Sequence, residues 1–204
     1  APPESGEFST SVEKVIHTPV DNLPVYIPVL RRQWLGASHT QLHNELRTLA
    51  LEWHAQAVVV DATGVGAGLA SFLERSLPGR VFPFIFNSVS KSQLGWDFLG
   101  IVDSGRWREP KLPDSPPTPQ RRHQQEFLQQ LKGCTFEVLE GAEQRMRWGV
   151  PEGSRDSETG ELLHDDWVLS AALCARLEKL DWTAHGETLI IQARDPLKGM
   201  DRSF

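Results

Sequence analysis

The 204-residue chain has few cysteines, no long apolar run and no obvious leader sequence. Cys134 and Cys174 are far apart, so they provide no zinc-ligand pattern and favour a reducing compartment. No apolar stretch approaches the roughly 20 residues that a membrane-spanning helix needs. The opening stretch, APPESGEFST, lacks the basic and apolar segments of a signal peptide. These absences predict a cytosolic protein.

The chain also lacks an excess of positive charge, since its formal net charge is −6 at pH 7. This charge argues against a protein that coats nucleic acid through bulk electrostatics, but it allows a local basic groove beside an acidic site. An apolar fraction of 39% is ordinary for a globular protein. The length is sufficient for one α/β domain with its own core.

Hydrophobic patterns predict strands and helices in alternation after two leading strands. The leading strands are SVEKVIHTP and LPVYIPVLRRQWLG, and Pro24 and Pro28 favour an edge or interrupted position for the second. Ser38 and Thr118 are predicted helix caps, and residues 134–149 are predicted to form a hairpin. The final helix is predicted in DDWVLSAALCARLEKL. This order indicates an α/β fold with a partly antiparallel sheet.

The stretch VVVDATGVGAG, residues 58–68, joins a buried strand to a glycine-rich turn. Its glycines do not have G-x-G-x-x-G spacing and no G-K-[ST] follows, so a nucleotide cradle is weakly supported. A tight turn explains the glycines, but it does not explain Asp61. An aspartate at the carboxyl edge of an α/β sheet lies where such sheets bind ligands, although it can also simply cap the next helix. Both interpretations of Asp61 stay open at this point.

A second acidic point is the stretch HDDW, with His164, Asp165 and Asp166 at the start of the final helix. One acid there is explained by the helix dipole, which contributes roughly 0.3–1 kcal/mol. Two adjacent acids repel each other, and a divalent cation would offset that repulsion. If the final helix crosses the sheet, Asp61 and Asp166 meet at one edge. They would then hold Mg²⁺ or Mn²⁺, as in two-metal phosphodiester cleavage.

Two basic clusters are candidates for phosphate contact. One surrounds the SGRW turn and the other lies on the predicted hairpin, and their members include Lys91, Arg106, Arg108, Lys111, Arg145 and Arg147. Basic residues interleaved with tryptophan can hold a nucleic-acid backbone. A solvated basic face explains each cluster equally well.

Taken in order, the motifs DATGVGAG, FNSVSKSQ, LGIVDSGRW, RWGVPEG and HDDWVLSAAL resemble those of the nuclease domain of phage large terminase subunits. The resemblance implies a ribonuclease-H-like domain over residues 1–180, with a mixed sheet flanked by helices, an added β-hairpin and a C-terminal tail at 181–204. It implies a metal-dependent endonuclease that cuts concatemeric double-stranded viral DNA in the cytoplasm of the bacterial host. Its implied partners are a packaging ATPase domain, the small terminase subunit and the portal, with no membrane involved.

The family's acidic triad maps onto this chain only in part. The resemblance assigns the middle acid to Asp61 and the last to Asp166, with Asp165 in support, on Mg²⁺ or Mn²⁺. The family's first acid precedes a turn like the one in residues 5–7, so it is expected just before Ala1, unless Glu4 or Glu7 replaces it. The remaining expected roles are an orienting or DNA-contacting one for His164, control of DNA access by the hairpin, and phosphate contact by Lys91, Arg106, Arg108 and Arg147.

Two other functions are compatible with the same residues. One is another ribonuclease-H-like nuclease, such as a resolvase or transposase core, which would act on branched or recombining DNA. The other is a non-catalytic module that docks on the packaging motor or the portal, which a missing first acid would favour.

Overall fold

The computed structural model describes residues 7–17, 23–113, 116, 118–141, 143–156 and 159–180. The predicted tail, residues 181–204, lies outside these described residues, and so does Glu4. Among the described residues, no helix is both long enough and apolar enough to cross a membrane.

Strands and helices follow the predicted order closely. The strands are β1 (Glu7–His17), β2 (Pro24–Leu35), β3 (Val58–Asp61), β4 (Val81–Phe84), β5 (Thr135–Val138) and β6 (Met146–Gly149). The helices are α1 (His39–Glu52), α2 (Gly66–Ser76), α3 (Ser88–Asp103), α4 (Pro119–Gly133) and α5 (Asp166–Ala172), and α5 continues into a 3₁₀ helix (Leu173–Lys179). The predicted mixed α/β class is confirmed.

In the described chain, the strands pair two by two. β1 and β2 are antiparallel, β3 and β4 are parallel, and β5 and β6 form the predicted antiparallel hairpin. The β1–β2 register shifts between Val12 and Glu13, next to Pro28, which is the interruption that the prolines predicted. β1 and β3 are not hydrogen-bonded to each other, so the mixed sheet is divided into two pairs by a cleft.

Several sequence signals act locally as predicted. The Ser38 and Thr118 hydroxyls accept the backbone N–H groups of Gln41 and Arg121 and so cap α1 and α4. The apolar spacing of α2 favours a core position for Phe72, but this side chain is exposed and packs edge-on against His43. It also tightens the last helix into a 3₁₀ segment from Leu173.

The main core joins the first two strands to the last helices. Its largest fully buried side chains include Tyr26 of β2, Phe127 of α4 and Trp167 of α5. A second, smaller cluster lies between α1 and α2 and contains Leu42, Leu69 and Leu73. The main core therefore determines where α5 begins, and with it the position of the acidic HDD stretch.

A buried polar network attaches α4 to β2. The Arg31 guanidinium makes a two-pronged ion pair with Glu109 and stacks over the Phe127 ring. The Gln120 side-chain amide accepts the Arg31 N–H and donates to the Arg31 carbonyl, so it satisfies the backbone of β2 as a neighbouring strand would. These contacts hold α4 against β2, and they satisfy backbone groups of Arg31 that would otherwise need a neighbouring strand.

Glu13 lies at the border of this network, within β1. Burial is the main cause that raises the pKa of its carboxyl from 4.5 to about 7, against the hydrogen bond that Ser11 donates and the charge of Arg31. The folded protein therefore binds this proton more tightly than the unfolded chain does. The resulting stabilisation is complete below about pH 4.5 and is lost as the pH rises through about 7.

We expect Glu13→Gln to remove this loss, because the amide stays neutral at every pH. At pH 8 the variant should be more stable than the wild type by about 3 kcal/mol, or roughly 6–12 °C in Tm. Thermal unfolding of both proteins between pH 4.5 and pH 8 measures the difference. Parallel curves for the two proteins would show that folding does not raise the pKa of Glu13.

Candidate acidic active site

A cleft of about 1260 Å³ separates the two strand pairs. One wall is the edge of β1 along residues 8–15, and the opposite wall is residues 57–61, at the edge of β3. In the described chain β1 pairs with β2 alone and β3 pairs with β4 alone, so both walls are unpaired strand edges. Two such edges facing one cleft are a ready template for a further β-strand.

The other two sides of the cleft are apolar. They are formed by leucines of the α1–α2 pair and of the last helices, including Leu42, Leu69, Leu73, Leu169, Leu173, Leu177 and Leu180. The leucines of the final helix therefore share one face, and that face is directed at the cleft. Apolar cover above and below is the environment of a central strand in an α/β sheet.

Asp61 and Asp166 line the same cleft. Asp61 is the last residue of β3, and Asp166 is the first residue of α5. Lys91, from the first turn of α3, lines the cleft as well. Because β4 and β3 are parallel, α3 begins at the carboxyl end of both strands, and that end of the cleft is the acidic one.

The Asp61 carboxylate is exposed, and its position is set by the glycine turn. Its Oδ1 accepts the Thr63 N–H at 2.8 Å, while the Thr63 hydroxyl accepts the Phe86 N–H at 2.8 Å. A Cβ at Gly66 would clash with the Asp61 carbonyl oxygen. Gly66 is therefore required for the close packing of α2 against the end of β3, which confirms the tight-turn interpretation of the glycines.

Asp166 is held through the backbone around it. Its carbonyl accepts the Ser9 hydroxyl at 3.3 Å, and the next N–H, that of the buried Trp167, donates to Gln130 Oε1 at 2.9 Å. These bonds fix the start of α5 between β1 and α4. They also place the beginning of β1 at the acidic end of the cleft.

Asp165 occupies the N-cap position of α5, but its side chain makes no capping hydrogen bond. Its Oδ2 lies 3.4 Å from Lys91 Nζ, and the backbone of Gly149 in β6 runs directly against it. Asp165 therefore does not act as a hydrogen-bonding cap of α5, although an acid at this helix end is still favoured by the helix dipole. Its carboxylate is oriented by a cation and by the hairpin.

The other predicted DNA contacts lie elsewhere. The Arg106 guanidinium pairs with Glu178 and bonds to the Pro24 carbonyl at 3.3 Å, while Arg108 is exposed beside Gly105. Arg147 is exposed on β6, with Glu137 as its nearest acid at 3.9 Å. His164 is exposed next to the acidic pair. The structure thus brings Lys91 to the acids, whereas Arg106 supports the opposite part of the fold.

Two neighbours of the site gave no signal in the sequence. Gly149 contacts the Asp165 carboxylate, and Cys134 lies close to the same carboxylate at the start of β5. Burial raises the pKa of the Cys134 thiol, and the negative charge of Asp165 raises it further. Both contacts cross long sequence separations, so no local pattern reveals them.

The donor chemistry of the acidic end fits a hard divalent cation, because aspartate oxygens are the ligands that Mg²⁺ and Mn²⁺ prefer. The set is incomplete within the described residues, where no three His, Cys, Asp or Glu side chains are grouped closely enough to hold a metal ion. Asp61 and Asp166 by themselves therefore do not form a complete metal-ligand group within the described residues.

No protein-family model matches the chain. A probable terminase ATPase subunit of Haemophilus phage HP1 is 27% identical over 125 residues, which are 60% of this chain. The chain spans only about 20% of that phage protein.

Two solved structures have a similar fold. The large terminase nuclease of thermophilic phage G20c with bound cobalt superimposes with a TM-score of 0.53 at 17% identity, covering 83% of this chain and 81% of that one. The same nuclease with bound magnesium gives a TM-score of 0.51 at 18% identity, covering 82% and 81%. The fold that the motifs implied is confirmed: this chain has the ribonuclease-H-like fold of a large terminase nuclease domain.

Proposed function

We propose that this chain is the nuclease part of a viral DNA-packaging terminase and that it hydrolyses phosphodiester bonds of concatemeric double-stranded DNA with Mg²⁺ or Mn²⁺. The observation that carries the proposal is the position of Asp61 and Asp166 on one cleft, in a fold shared with nucleases that bind cobalt and magnesium. The sequence match to a phage terminase subunit supports the same context.

In this proposal Asp61 and Asp166 hold the cations, and Asp165 assists from the side of the hairpin. The bound ions would supply an activated water and charge stabilisation for the leaving oxygen. Lys91 lies between the cleft and Asp165, so it is placed to contact a phosphate of the bound DNA. Exposed His164 and Arg147 are further proposed contacts to the duplex.

The direction of the strands supports an origin for the missing ligand. β1 starts and β3 ends at the acidic end, so the two strands run antiparallel across the cleft. A strand joined to the start of β1 by a short turn would run antiparallel to β1 and parallel to β3. We propose that polypeptide preceding residue 1 provides this strand. An acidic side chain at the end of the strand would then lie beside Asp61 and Asp166.

The proposed partners follow from the terminase context. They are double-stranded DNA, the packaging ATPase domain, the small terminase subunit and the portal, within the cytoplasm of the bacterial host. The second candidate function, a non-catalytic module docking on the motor or portal, is favoured by one observation. The described residues contain no complete metal-ligand group.

We expect Asp61→Asn to abolish metal-dependent nicking of supercoiled plasmid, with a loss greater than roughly 100-fold. The asparagine oxygen still accepts the Thr63 N–H, so the turn and the Tm should be preserved. The assay compares Mn²⁺, Mg²⁺ and EDTA, and Asp103→Asn, an exposed acid at the end of α3, is the matched control. Equal nicking by Asp61→Asn and the control would show that Asp61 is not required for cleavage.

We expect restoration of the preceding polypeptide to fill the cleft. Backbone N–H groups along residues 8–15 and 57–61 should then exchange with deuterium more slowly, because a new strand would pair with both edges. Mn²⁺ affinity measured by calorimetry should rise by roughly tenfold or more as a carboxylate joins the site. Unchanged exchange along both edges would contradict this origin of the strand.

If the extended protein binds DNA but neither binds Mn²⁺ nor cuts linear duplex, the docking module replaces the nuclease as the better proposal. Preferential cutting of four-way junctions over linear duplex would favour the resolvase alternative.

We expect Lys91→Met to strengthen Mn²⁺ binding and to weaken DNA binding. The ammonium group neutralises Asp165, so its removal leaves more negative charge for a cation, an effect of roughly threefold to tenfold in affinity. Loss of one phosphate contact should reduce the salt dependence of DNA binding by about one unit of slope. Lys132→Met, at an exposed position of α4, should change neither quantity.

A further inference from the structure

We propose that the β5–β6 hairpin is a fixed wall of the acidic site and that Gly149, its last residue, positions the Asp165 carboxylate. The proposal rests on the function proposed above, since it explains how a metal ligand is oriented. It assigns a role in metal binding to a residue that has no metal-binding side chain.

The first evidence is the space around Gly149. A Cβ at this residue would lie 2.5 Å from Asp165 Oδ2 and 3.4 Å from Lys91 Nζ. The backbone of β6 therefore passes directly against the pair that Asp165 and Lys91 form at 3.4 Å. Gly149 also has a φ of +136°, which residues with a side chain rarely adopt. Any other residue would displace the Asp165 carboxylate or the end of β6.

The second evidence is the attachment of the hairpin to α3, the helix that carries Lys91. Trp148 Nε1 donates to the Lys91 carbonyl at 2.6 Å, and the Met146 N–H donates to the Ser92 hydroxyl at 2.8 Å. The Trp148 ring fits where α3 has Gly95, since a Cβ there would clash with Trp148 Nε1. These contacts couple the position of Gly149 to that of Lys91.

A further bond reaches farther along the hairpin. Trp96 Nε1 of α3 donates to the Gln144 carbonyl at 3.2 Å, just before β6. The hairpin is therefore bonded to α3 at both ends of β6 and along it. A hairpin bonded to α3 in this way keeps a fixed position beside the site. It does not open and close independently of α3.

The beginning of the hairpin lies beside Gly149. Thr135, the first residue of β5, pairs with Gly149 across the antiparallel ladder. The start of β5 and the end of β6 therefore lie side by side next to Asp165, and the backbone of the hairpin limits where this carboxylate can lie.

The test is the Mn²⁺ affinity of Gly149→Ala, measured by calorimetry on this chain and on the chain extended by the strand proposed above. We expect affinity to fall by roughly tenfold, as for other residues that orient a metal ligand, while the far-UV circular dichroism stays unchanged. Gly153→Ala is the matched control, because Gly153 also has a positive φ, +79°, but a Cβ there would meet nothing within 4 Å. The control should bind Mn²⁺ like the wild type.

Two further variants separate positioning from general destabilisation. In an Asp165→Asn background, Gly149→Ala should cause little additional loss, because its effect acts through that carboxylate. Trp148→Phe keeps the ring but removes the bond to the Lys91 carbonyl, and it should weaken Mn²⁺ binding in the same direction. An undiminished effect of Gly149→Ala in the Asp165→Asn background would overturn the proposal.

A metal-free crystal structure of Gly149→Ala gives an answer that does not depend on nuclease function. The proposal requires Asp165 Oδ2 and Lys91 Nζ to move apart beyond 4 Å, from the 3.4 Å of the unaltered protein. An unchanged pair in that structure would overturn the proposal. If the pair moves in a protein that never cuts DNA, the positioning role stands and the proposed function fails.

Discussion

The position of the acidic site depends on the burial of Trp167. This side chain is only 1% exposed and its ring lies 5.0 Å from that of His123, while the backbone N–H of Trp167 donates to Gln130 Oε1. Because Asp165 and Asp166 directly precede it, the apolar core fixes the two acids at the first turn of α5. A core residue thus positions charged groups that the hydrophobic effect alone would leave in solvent.

Electrostatics then sets what this end of the molecule can bind. Asp61 and Asp166 face one cleft, and Asp165 lies next to Asp166 with Lys91 as its ion-pair partner. The Lys91 ammonium group offsets the charge of Asp165, while Asp61 and Asp166 bring two further carboxylates to the same cleft. A cluster of carboxylates favours a divalent cation, and in the proposed nuclease that cation would lie between these acids and the phosphate backbone of DNA.

Local signals in the sequence were sufficient for the elements but not for all of their neighbours. The apolar run before Asp61, the Ser38 and Thr118 caps and the turn between β5 and β6 each depend on residues close in sequence. By contrast, the pairing of Arg106 with Glu178 spans 72 residues, and the position of Gly149 against Asp165 depends on how a hairpin packs on α3. Lys91 is an intermediate case. Its charge and its place in the FNSVSKSQ motif made it a candidate, but its pairing with Asp165 could not be predicted from the sequence.

The cleft links stability to metal binding. Its walls are two strand edges with unpaired backbone groups, and its other sides are leucines, so covering it removes apolar surface from water and satisfies hydrogen-bonding groups. The strand proposed to precede β1 would end near Ser9, Asp61 and Asp166. The free energy gained when that strand pairs with the cleft walls would then offset the electrostatic repulsion between its acidic side chain and the two aspartates. In this arrangement, a cation that binds the three acids stabilises the sheet, and the sheet in turn raises the affinity for the cation.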